Sequence, residues 1–470
     1  MQRFFHSISL ALTLGLVWTA PAWSQAPGDP VAAESGPSEA VPSPEAEKPS
    51  FWRDRFDYSG VLRQETAVRF GSSPGFSKIR QFAEMNFKFR FNDTVHLKIG
   101  GRGWYDAAYD VTDHYPPDVQ DQMRTELTLR DAYLDLFAKN LHIRLGHQQV
   151  VWGEALVQFF ADVVNPQDLR EFILPNHEFI RLPIWAVDLR YSIRPNISIE
   201  LVASPDQTVD KLALPGADFS FFPNPDETFF ISPVIPGVPS TLLSDKKPKT
   251  SIKNWNGGGR FTLLTHGWDF SWLFYTTSAH LPVIYKTLAL DRVNLRPTVL
   301  LNRVHPRVYD FGFTFSKAFQ NSVFRGEFVY THGRLFNSQD IIFSQGLAKA
   351  ELFRYVLGYD VDLPGQVKMI SELQQQFILG NDDLISDPSV DTWLALRFDR
   401  SFFNEKLVPE LIFSVGLRKG DTMIRPRINY RVIDSVLLTW GADIFTGPDD
   451  TLFGQFDDSS RVYMTTQWNF

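Results

Sequence analysis

Long stretches of the chain alternate between polar and apolar residues. The run from 78 to 91 is the clearest, and similar runs occupy 95–110 and 424–432. In the first run the polar positions are Lys78, Arg80, Glu84, Asn86, Lys88 and Arg90, and the apolar positions are Ile79, Ala83, Met85, Phe87, Phe89 and Phe91. Since successive side chains of a β-strand point to opposite faces, each run predicts a strand with one polar and one apolar face.

The connections between these runs allow the strands to be counted. Eight are short and contain mostly turn-forming residues: 92–93, 139–140, 194–196, 266–267, 320–321, 364–365, 404–405 and 433–434. Nine others, mostly longer, alternate with them: 71–76, 110–122, 153–183, 204–254, 278–305, 334–350, 380–390, 419–420 and 446–459. Together these connections join 18 strands.

The predicted strands are longer than those of ordinary soluble sheets. Runs reach about 11 to 15 residues, whereas soluble strands have a mode near five or six. A long strand with one apolar and one wet face, an even strand count, and alternating short and long connections are typical of a membrane barrel. The sequence therefore predicts an all-β fold, a transmembrane antiparallel up-and-down β-barrel of about 18 strands, with 16 strands as the alternative. A soluble sandwich or propeller is the competing interpretation.

Aromatic residues are abundant for a chain this polar, with 41 Phe and 12 Trp among 470 residues. Membrane barrels carry aromatic girdles at both interfaces. We expect girdle positions near strand ends for Trp104, Tyr105, Tyr109, Trp185, Tyr191, Trp268, Tyr275, Tyr330, Tyr355, Tyr430, Trp440 and Trp468. Some of these must face the lumen, because Trp104, like Trp152, shares the parity of charged residues.

The two ends of the chain indicate how it is targeted. Residues 1–24 have a basic start, an apolar stretch and a small-residue cleavage site, which predicts a signal peptide. Residues 25–50, rich in Pro, Ala, Glu and Ser, predict a disordered periplasmic lead, so that 51–470 form the barrel. In the last strand, Trp468 and Phe470 share the apolar face and are expected to be the assembly signal that the barrel-assembly machinery reads. We therefore expect the protein in the outer membrane, in contact with its lipid.

Composition and charge exclude several classes of function. The absence of Cys removes thiolate metal sites and thiol nucleophiles, and a net charge of -8 argues against nucleic acid as a partner. The chain has no GxSxG sequence, and its His residues have no Ser and Asp partners at strand spacing. We therefore expect no enzymatic activity, no cofactor and no metal, with an outer-membrane lipid hydrolase as the least favoured alternative.

A basic sector is predicted on one side of the lumen. Strands near the two ends of the chain, which become neighbours when a barrel closes, supply Arg63, Arg69, Lys78, Arg80, Lys88, Arg90, Lys98, Arg102, Arg425, Arg427, Arg431 and Arg461. Such a sector would attract anionic solutes and offer them successive weak sites. Alternatively, these groups pair with acidic residues of adjacent strands and only keep the lumen wet and rigid.

The connection 153–183 differs from a solvated loop. It carries apolar residues at near-helical spacing, followed by an Asn-Pro-x-Asp turn, and such residues are costly to expose to water. We predict that it folds inward as a constriction or plug, whose residues are Trp152, Glu154, Asp162, Asn165, Asp168 and Arg170. The alternative is a loop packed at the rim. The connection 204–254, rich in Pro and Phe, is expected to cap the mouth.

Residues 144–153 and 162–170 resemble the "GRQ…WG…D…NP…D" segment of a largely uncharacterised family of Gram-negative outer-membrane barrels near the alginate-export barrels. Residues 441–445 and 454–463 are similar to the same group. His147 stands where that family often has Arg, which weakens an anion site at that point. The resemblance implies a porin-like channel that passes or exports a solute, anionic or hydrophobic, with an inner-membrane efflux pump as a candidate partner. A receptor or adhesin barrel is the alternative function.

Overall fold

The computed structural model describes residues 55–155, 160–221, 240–242, 247–290, 296–338, 344–380, 385 and 387–470. The predicted signal peptide and periplasmic lead, and Phe222, Phe229 and Phe230 of the connection 204–254, lie outside these residues.

Eighteen strands form one sheet, and three strands form a second. The strands of the large sheet are β1 (Phe56–Arg69), β2 (Gly75–Asn92), β3 (Val95–Asp106), β4 (Thr125–Ala138), β5 (Leu141–Gln148), β6 (Ile184–Arg194), β7 (Ile197–Ser204), β9 (Asn256–Thr265), β10 (Trp268–Ser278), β13 (Arg307–Ala318), β14 (Ser322–Asn337), β15 (Leu347–Leu363), β16 (Val367–Leu379), β17 (Val390–Arg400), β18 (Leu407–Gly416), β19 (Thr422–Ile433), β20 (Val436–Thr446) and β21 (Arg461–Asn469). The small sheet contains β8 (Ser240–Leu242), β11 (Val283–Leu290) and β12 (Pro297–Val304).

Each long strand pairs antiparallel with its neighbours in chain order, and the sheet closes where β1 pairs with β21. The result is a closed up-and-down barrel of 18 strands, as the turn pattern predicts. All eight predicted short connections join neighbouring barrel strands, and all nine other connections lie at the opposite end. Closure joins the two edge strands of the large sheet, so that this sheet has no free edge strand.

Residues in the connections form a few short helices. These are α1 (Ala108–Val111), α2 (Pro117–Met123) and α3 (His177–Ile180), with 3-10 turns at Ile252–Asn254 and Gly454–Ser459. The alternation predicted for 95–110 therefore ends at Asp106, and Asp110 belongs to α1 instead of a strand.

The two faces of the barrel wall follow the polar and apolar alternation. On β2, Lys78 and Arg80 are buried inside, whereas Met85 and Phe87 are exposed on the outer face. A continuous network of outward aromatic rings runs from β9 to β16. Most of the predicted girdle residues lie on this outer face, including Tyr105, Trp185, Tyr191, Tyr430, Trp440 and Trp468, which are all at least 40% exposed.

Two of the girdle predictions are wrong. Tyr109 is buried in α1 and packs on Tyr115, because the chain leaves the strand before that position. Tyr275 is fully buried and meets Trp152 edge to face, with ring centroids 5.6 Å apart. It has the opposite parity to the exposed Trp272 on the same strand, which identifies it as a lumenal residue.

Candidate functional site

The connection between β5 and β6 folds into the barrel and is anchored first on β14. The fully buried carboxylate of Glu327 accepts backbone N–H groups of residues 154, 155, 160 and 161 of this connection. One oxygen accepts Ala155 N at 2.7 Å and also Glu154 N, and the other accepts Phe160 N and Ala161 N, each at 2.8 Å. A charged acceptor thus satisfies four donors of an irregular segment.

The same connection then reaches the opposite wall. Strands β14 and β2 are nine positions apart in the ring of 18, and the Glu171 carboxylate contacts Lys78 and Arg80 on β2. Burial alone would raise the pKa of Glu171, but Arg80 and Lys78 hold it well below its usual range. Farther along, Arg425 on β19 donates to the Leu174 carbonyl at 2.8 Å. We call residues 160–183 the crossing segment, since they join opposite sides of the lumen.

An aromatic cluster holds the middle of the crossing segment. The ring of Phe172 lies among Phe221, Phe445, Phe453 and Phe456, with the nearest centroid, that of Phe456, at 4.9 Å. Its backbone has a φ of 53°, a conformation that an aromatic residue rarely adopts. Packing of this ring against the β20 wall and the loop that follows it stabilises the turn.

The polar residues predicted for the constriction fix the two arms of this connection. The Asn165 side chain accepts Val150 N and donates to the Leu182 carbonyl, both at 2.7 Å. Asp162 pairs with Arg181, and burial raises the pKa of this aspartate. These contacts join the start of the connection to its end.

The remaining constriction residues bind the walls. Arg170 donates to Asp168 at 2.9 Å and also contacts Glu126 on β4, with its guanidinium 5.3 Å from the centre of the Trp104 ring. Trp152 is fully buried against Tyr275. The backbone N–H of Glu154 donates to the Glu327 carboxylate. The structure thus places all six predicted residues in one inward-folded unit.

The connection between β7 and β9 adds a second layer on the crossing segment. Its Lys211 exchanges backbone hydrogen bonds with Gln167 and Leu169, at 2.9 and 2.8 Å. Asp210 accepts Gln167 N at 2.6 Å, and burial raises the pKa of this aspartate to about 7. Phe219 and Phe221 pack into the same aromatic cluster. In the described residues, this connection therefore lies against the crossing segment.

A cavity of about 500 Å³ lies between the crossing segment and the short-turn end of the barrel. Strands β17 to β21 and β1 to β3 form its wall, and Leu174, Pro175 and Phe179 of the crossing segment line it from the other side. Eleven basic and six acidic side chains line the cavity. Four more carboxylates, those of Glu84, Asp106, Glu126 and Asp399, form ion pairs with its basic residues, so that the excess over these groups is one positive charge. The basic residues are Arg63, Lys78, Arg80, Arg102, Arg170, Arg397, Lys406, Arg425, Arg427, Arg431 and Arg461.

Eight of the twelve residues of the predicted basic sector line this cavity, and four lie elsewhere. Arg69 is on the long-loop side of the barrel and pairs with Asp218 at 3.3 Å. Lys98 pairs with Asp131 on the wall at 2.6 Å. Lys88 and Arg90 are exposed near the short turn that follows β2, where Arg90 pairs with Asp57.

Most of the predicted basic residues are paired. Ten of the twelve form ion pairs, for example Arg102 with Glu84 and Arg427 with Glu410, at 2.8 and 2.7 Å. Within the described part of the chain, Arg431 and Lys88 form no ion pair, and neither does Lys406 of the cavity. Ion pairing along the wall is what the second sequence interpretation expects, while attraction of anionic solutes by the basic sector stays a prediction.

Sequence reasoning missed several residues that build this site. Glu171 lies within the connection predicted to form the constriction but is not among its predicted residues, although it contacts Lys78 and Arg80 of the basic sector directly. Phe179 packs edge to face on Phe82 and lies 4.6 Å from the Arg63 and Arg102 guanidiniums. Glu327 shares its parity with lumenal Arg325, which marks it as inward-facing. No sequence signal indicates that it binds a segment more than 160 residues away.

Comparisons with known proteins agree with this fold. A family model described as protein of unknown function, DUF1302, matches residues 76–400. No curated protein matches the chain. OccAB1 of Acinetobacter baumannii has a similar structure, with a TM-score of 0.54 and 9% identity over 90% of this chain and 98% of that one. OccAB4 of the same organism has a TM-score of 0.50 and 11% identity over 88% and 98%. The relation to alginate-export barrels stays a prediction.

Proposed function

This chain belongs to the DUF1302 family, and from that premise we propose that it is an outer-membrane channel that passes small anionic solutes through a lumen narrowed by the crossing segment. A closed barrel with an apolar outer face satisfies the requirement that hydrocarbon imposes on backbone polar groups. By the usual orientation of such barrels, the short turns face the periplasm and the long connections face outward. The cavity then opens on the periplasmic side.

The observation that carries this proposal is the basic lining of the cavity beneath the crossing segment, with eleven basic against six acidic side chains, of which Arg431 and Lys406 form no ion pair among the described residues. Low-dielectric walls focus the field of these charges, so that the local concentration of anions rises and that of cations falls. The ion pairs along the wall hold most of the guanidiniums in fixed positions. A solute then meets fixed weak sites, which favour passage over tight binding.

The direction of transport and the partners of the channel are part of the same proposal. The family resemblance found in the sequence includes export barrels, and it motivates a search for an inner-membrane partner that delivers the solute. The outward apolar face of β21, with Val462 and Trp468 both exposed, supports recognition by the barrel-assembly machinery and contact with outer-membrane lipid.

Reversal potentials across a planar bilayer under a KCl gradient test the anion preference. The two unpaired cations of the cavity are the most informative positions, because their removal breaks no ion pair. We expect the Arg431→Gln/Lys406→Gln double variant to move the reversal potential toward the cation side by comparison with wild type. Lys88→Gln is the matched control, since Lys88 is also unpaired but lies outside the cavity. If the double variant and wild type had the same reversal potential, these basic residues would not determine the anion preference and their role would be structural.

A further inference from the structure

We propose that the outer face of β1, β2 and β21 is a contact surface for a second copy of this chain. The inference goes beyond channel function, and it rests on that proposal only in requiring that the barrel be embedded in a membrane. It starts from polar side chains on a face that should meet hydrocarbon.

Two glutamines form the centre of this surface. Gln64 on β1 and Gln81 on β2 are directly opposite each other in the ladder, and Gln81 Nε2 donates to Gln64 Oε1 at 3.0 Å. On the other side of Gln64, Thr466 of β21 is its partner in register. These side chains have the parity of exposed Leu62, Met85 and Trp468, so they lie on the outer face.

Outward apolar residues flank this polar row on both sides along the strands. Toward the short-turn end lie Leu62 on β1 and Met85 on β2, which are 41% and 39% exposed. Toward the long-loop end lie Ile79 on β2 and Val462 on β21, the latter 46% exposed. The polar row is therefore within the apolar band of the wall and not at its edge.

The hydrogen bond between the two amides leaves much of their capacity unused. Each amide has two N–H donors and an oxygen with two acceptor positions, and the bond at 3.0 Å engages one donor and one acceptor. Gln64 Nε2 also donates a longer hydrogen bond, at 3.3 Å, to the backbone carbonyl of Glu65. Lipid tails cannot form hydrogen bonds with the remaining amide donors and acceptors, and an amide without a hydrogen-bond partner in an apolar medium costs free energy.

A second outward amide on the barrel shows how such a group is satisfied within one chain. Gln375 on β16 accepts the Tyr355 hydroxyl at 2.7 Å, and its Nε2 donates to the Thr392 hydroxyl, also at 2.7 Å. Its strand is seven positions from β2 around the ring. Gln375 thus has a partner for its oxygen and for its nitrogen within one chain, whereas Gln81 has, within the residues that the structure describes, a partner for its nitrogen only. The face of β1, β2 and β21 therefore carries hydrogen-bonding groups that a single copy does not satisfy.

A second copy of the same face is the occupant that this chemistry fits. An amide is both donor and acceptor, so the same row rotated by a twofold axis is complementary to itself, as isologous dimers require. The shape of the face agrees. A hollow of about 380 Å³ lined by Phe56, Phe87, Phe89, Leu97 and Ile99 adjoins it, on the outer side of β1, β2 and β3. Beside the hollow, Tyr58 projects with 63% of its surface exposed. A projecting ring and an apolar hollow on one surface can interlock across the twofold axis.

The mass of the detergent-solubilised full chain, measured by light scattering with the detergent contribution subtracted, tests the proposal. We expect wild type to be dimeric, and Gln64→Leu/Gln81→Leu to dissociate about tenfold more readily, from the usual strength of hydrogen bonds between membrane segments. Gln375→Leu is the matched control and should dimerise like wild type. Heat-modifiable mobility on SDS gels verifies that each variant is folded, because a closed barrel resists SDS until it is boiled.

Disulfide cross-linking in the bilayer gives an independent measurement, since the chain has no native Cys. Gln81→Cys should give an oxidised dimer in membranes, and Gln375→Cys should give none. A monomeric wild type that keeps a lipid on this face, or equal cross-linking at both positions, would overturn the proposal. Failure to insert into membranes at all would instead refute the channel proposal, so the two failures are distinguishable.

Discussion

Replacement of Glu327 is expected to release the crossing segment from the wall. This side chain is fully buried on β14, and its carboxylate accepts four backbone N–H groups from the start of the inward-folded connection. Glu327→Gln keeps the size of the side chain but substitutes an NH₂ group for one of the two acceptor oxygens. At least two of the four N–H donors then face a donor and lose their partner.

The cost can be estimated from the number of lost bonds. A hydrogen bond to a charged group contributes about 1.5 to 3 kcal/mol, and an unsatisfied buried donor costs a similar amount. Two lost bonds therefore destabilise the docked segment by about 3 to 6 kcal/mol. Since each 1.4 kcal/mol is a factor of about ten, the undocked population should rise by roughly 100-fold or more.

Single-channel recording in planar bilayers measures this change. We expect Glu327→Gln to show larger and noisier conductance steps than wild type, because the segment that crosses the lumen moves. Glu200→Gln is the control, since Glu200 is also a buried lumenal carboxylate but pairs with Arg190 and Arg260 on the strands beside it. If Glu327→Gln had the same step size and noise as wild type, the crossing segment would not depend on this anchor.

Two further predictions concern pH and assembly. Because burial raises the pKa of Asp210 to about 7, above its unfolded value near 4, the folded arrangement that buries this side chain against the crossing segment loses stability as the pH rises from about 4 through 7. Conductance steps should be smaller at pH 5 than at pH 8, and Asp210→Asn should abolish this difference; a difference that persists would show that Asp210 is not its source. Phe470 exchanges backbone hydrogen bonds with Gly60 and packs on Trp468, so Phe470→Ala should lower the yield of the heat-modifiable form without changing the reversal potential. Normal yield at native expression would show that this ring is not needed for assembly.

The barrel itself could be predicted from the sequence because its rules are local. Alternation along β2 gives the strand and both of its faces, and the short turns at 92–93 and 139–140 give the pairing of the strands that flank them. Neither inference needs knowledge of distant parts of the chain. One of the two errors arises where a strand ends, because Tyr109 continues the alternating pattern by chance after the backbone has turned into α1. The other, Tyr275, is within β10 but has the parity of the lumenal face.

The candidate site could be predicted only in outline. Apolar residues in the connection 153–183 indicated an inward fold, because their exposure to water is unfavourable. Their partners could not be deduced, since Phe172 packs on Phe445 and Phe456, and Glu327 binds residues 154 and 155, through contacts between distant parts of the chain. Such contacts depend on where the connection crosses the lumen, which no local pattern encodes.

The sequence alone also does not show whether the residues of the basic sector form ion pairs. Parity placed Arg80 and Arg102 inside but could not say whether carboxylates would neutralise them. Register resolves this for wall residues, since Arg80 is opposite Asp106 and Arg102 is opposite Glu84. The contribution of Glu171 comes from the crossing segment and could not be derived from strand register.

Conductance of the purified, heat-modifiable protein in planar bilayers tests the central claim most directly. The intact chain should give discrete steps with an anion-selective reversal potential. Replacement of 153–183 by a short Gly/Ser turn is feasible, because Gln148 and Ile184 are already partners in register, and it should enlarge the steps. Folded, inserted protein that gives no steps in either form would contradict the account.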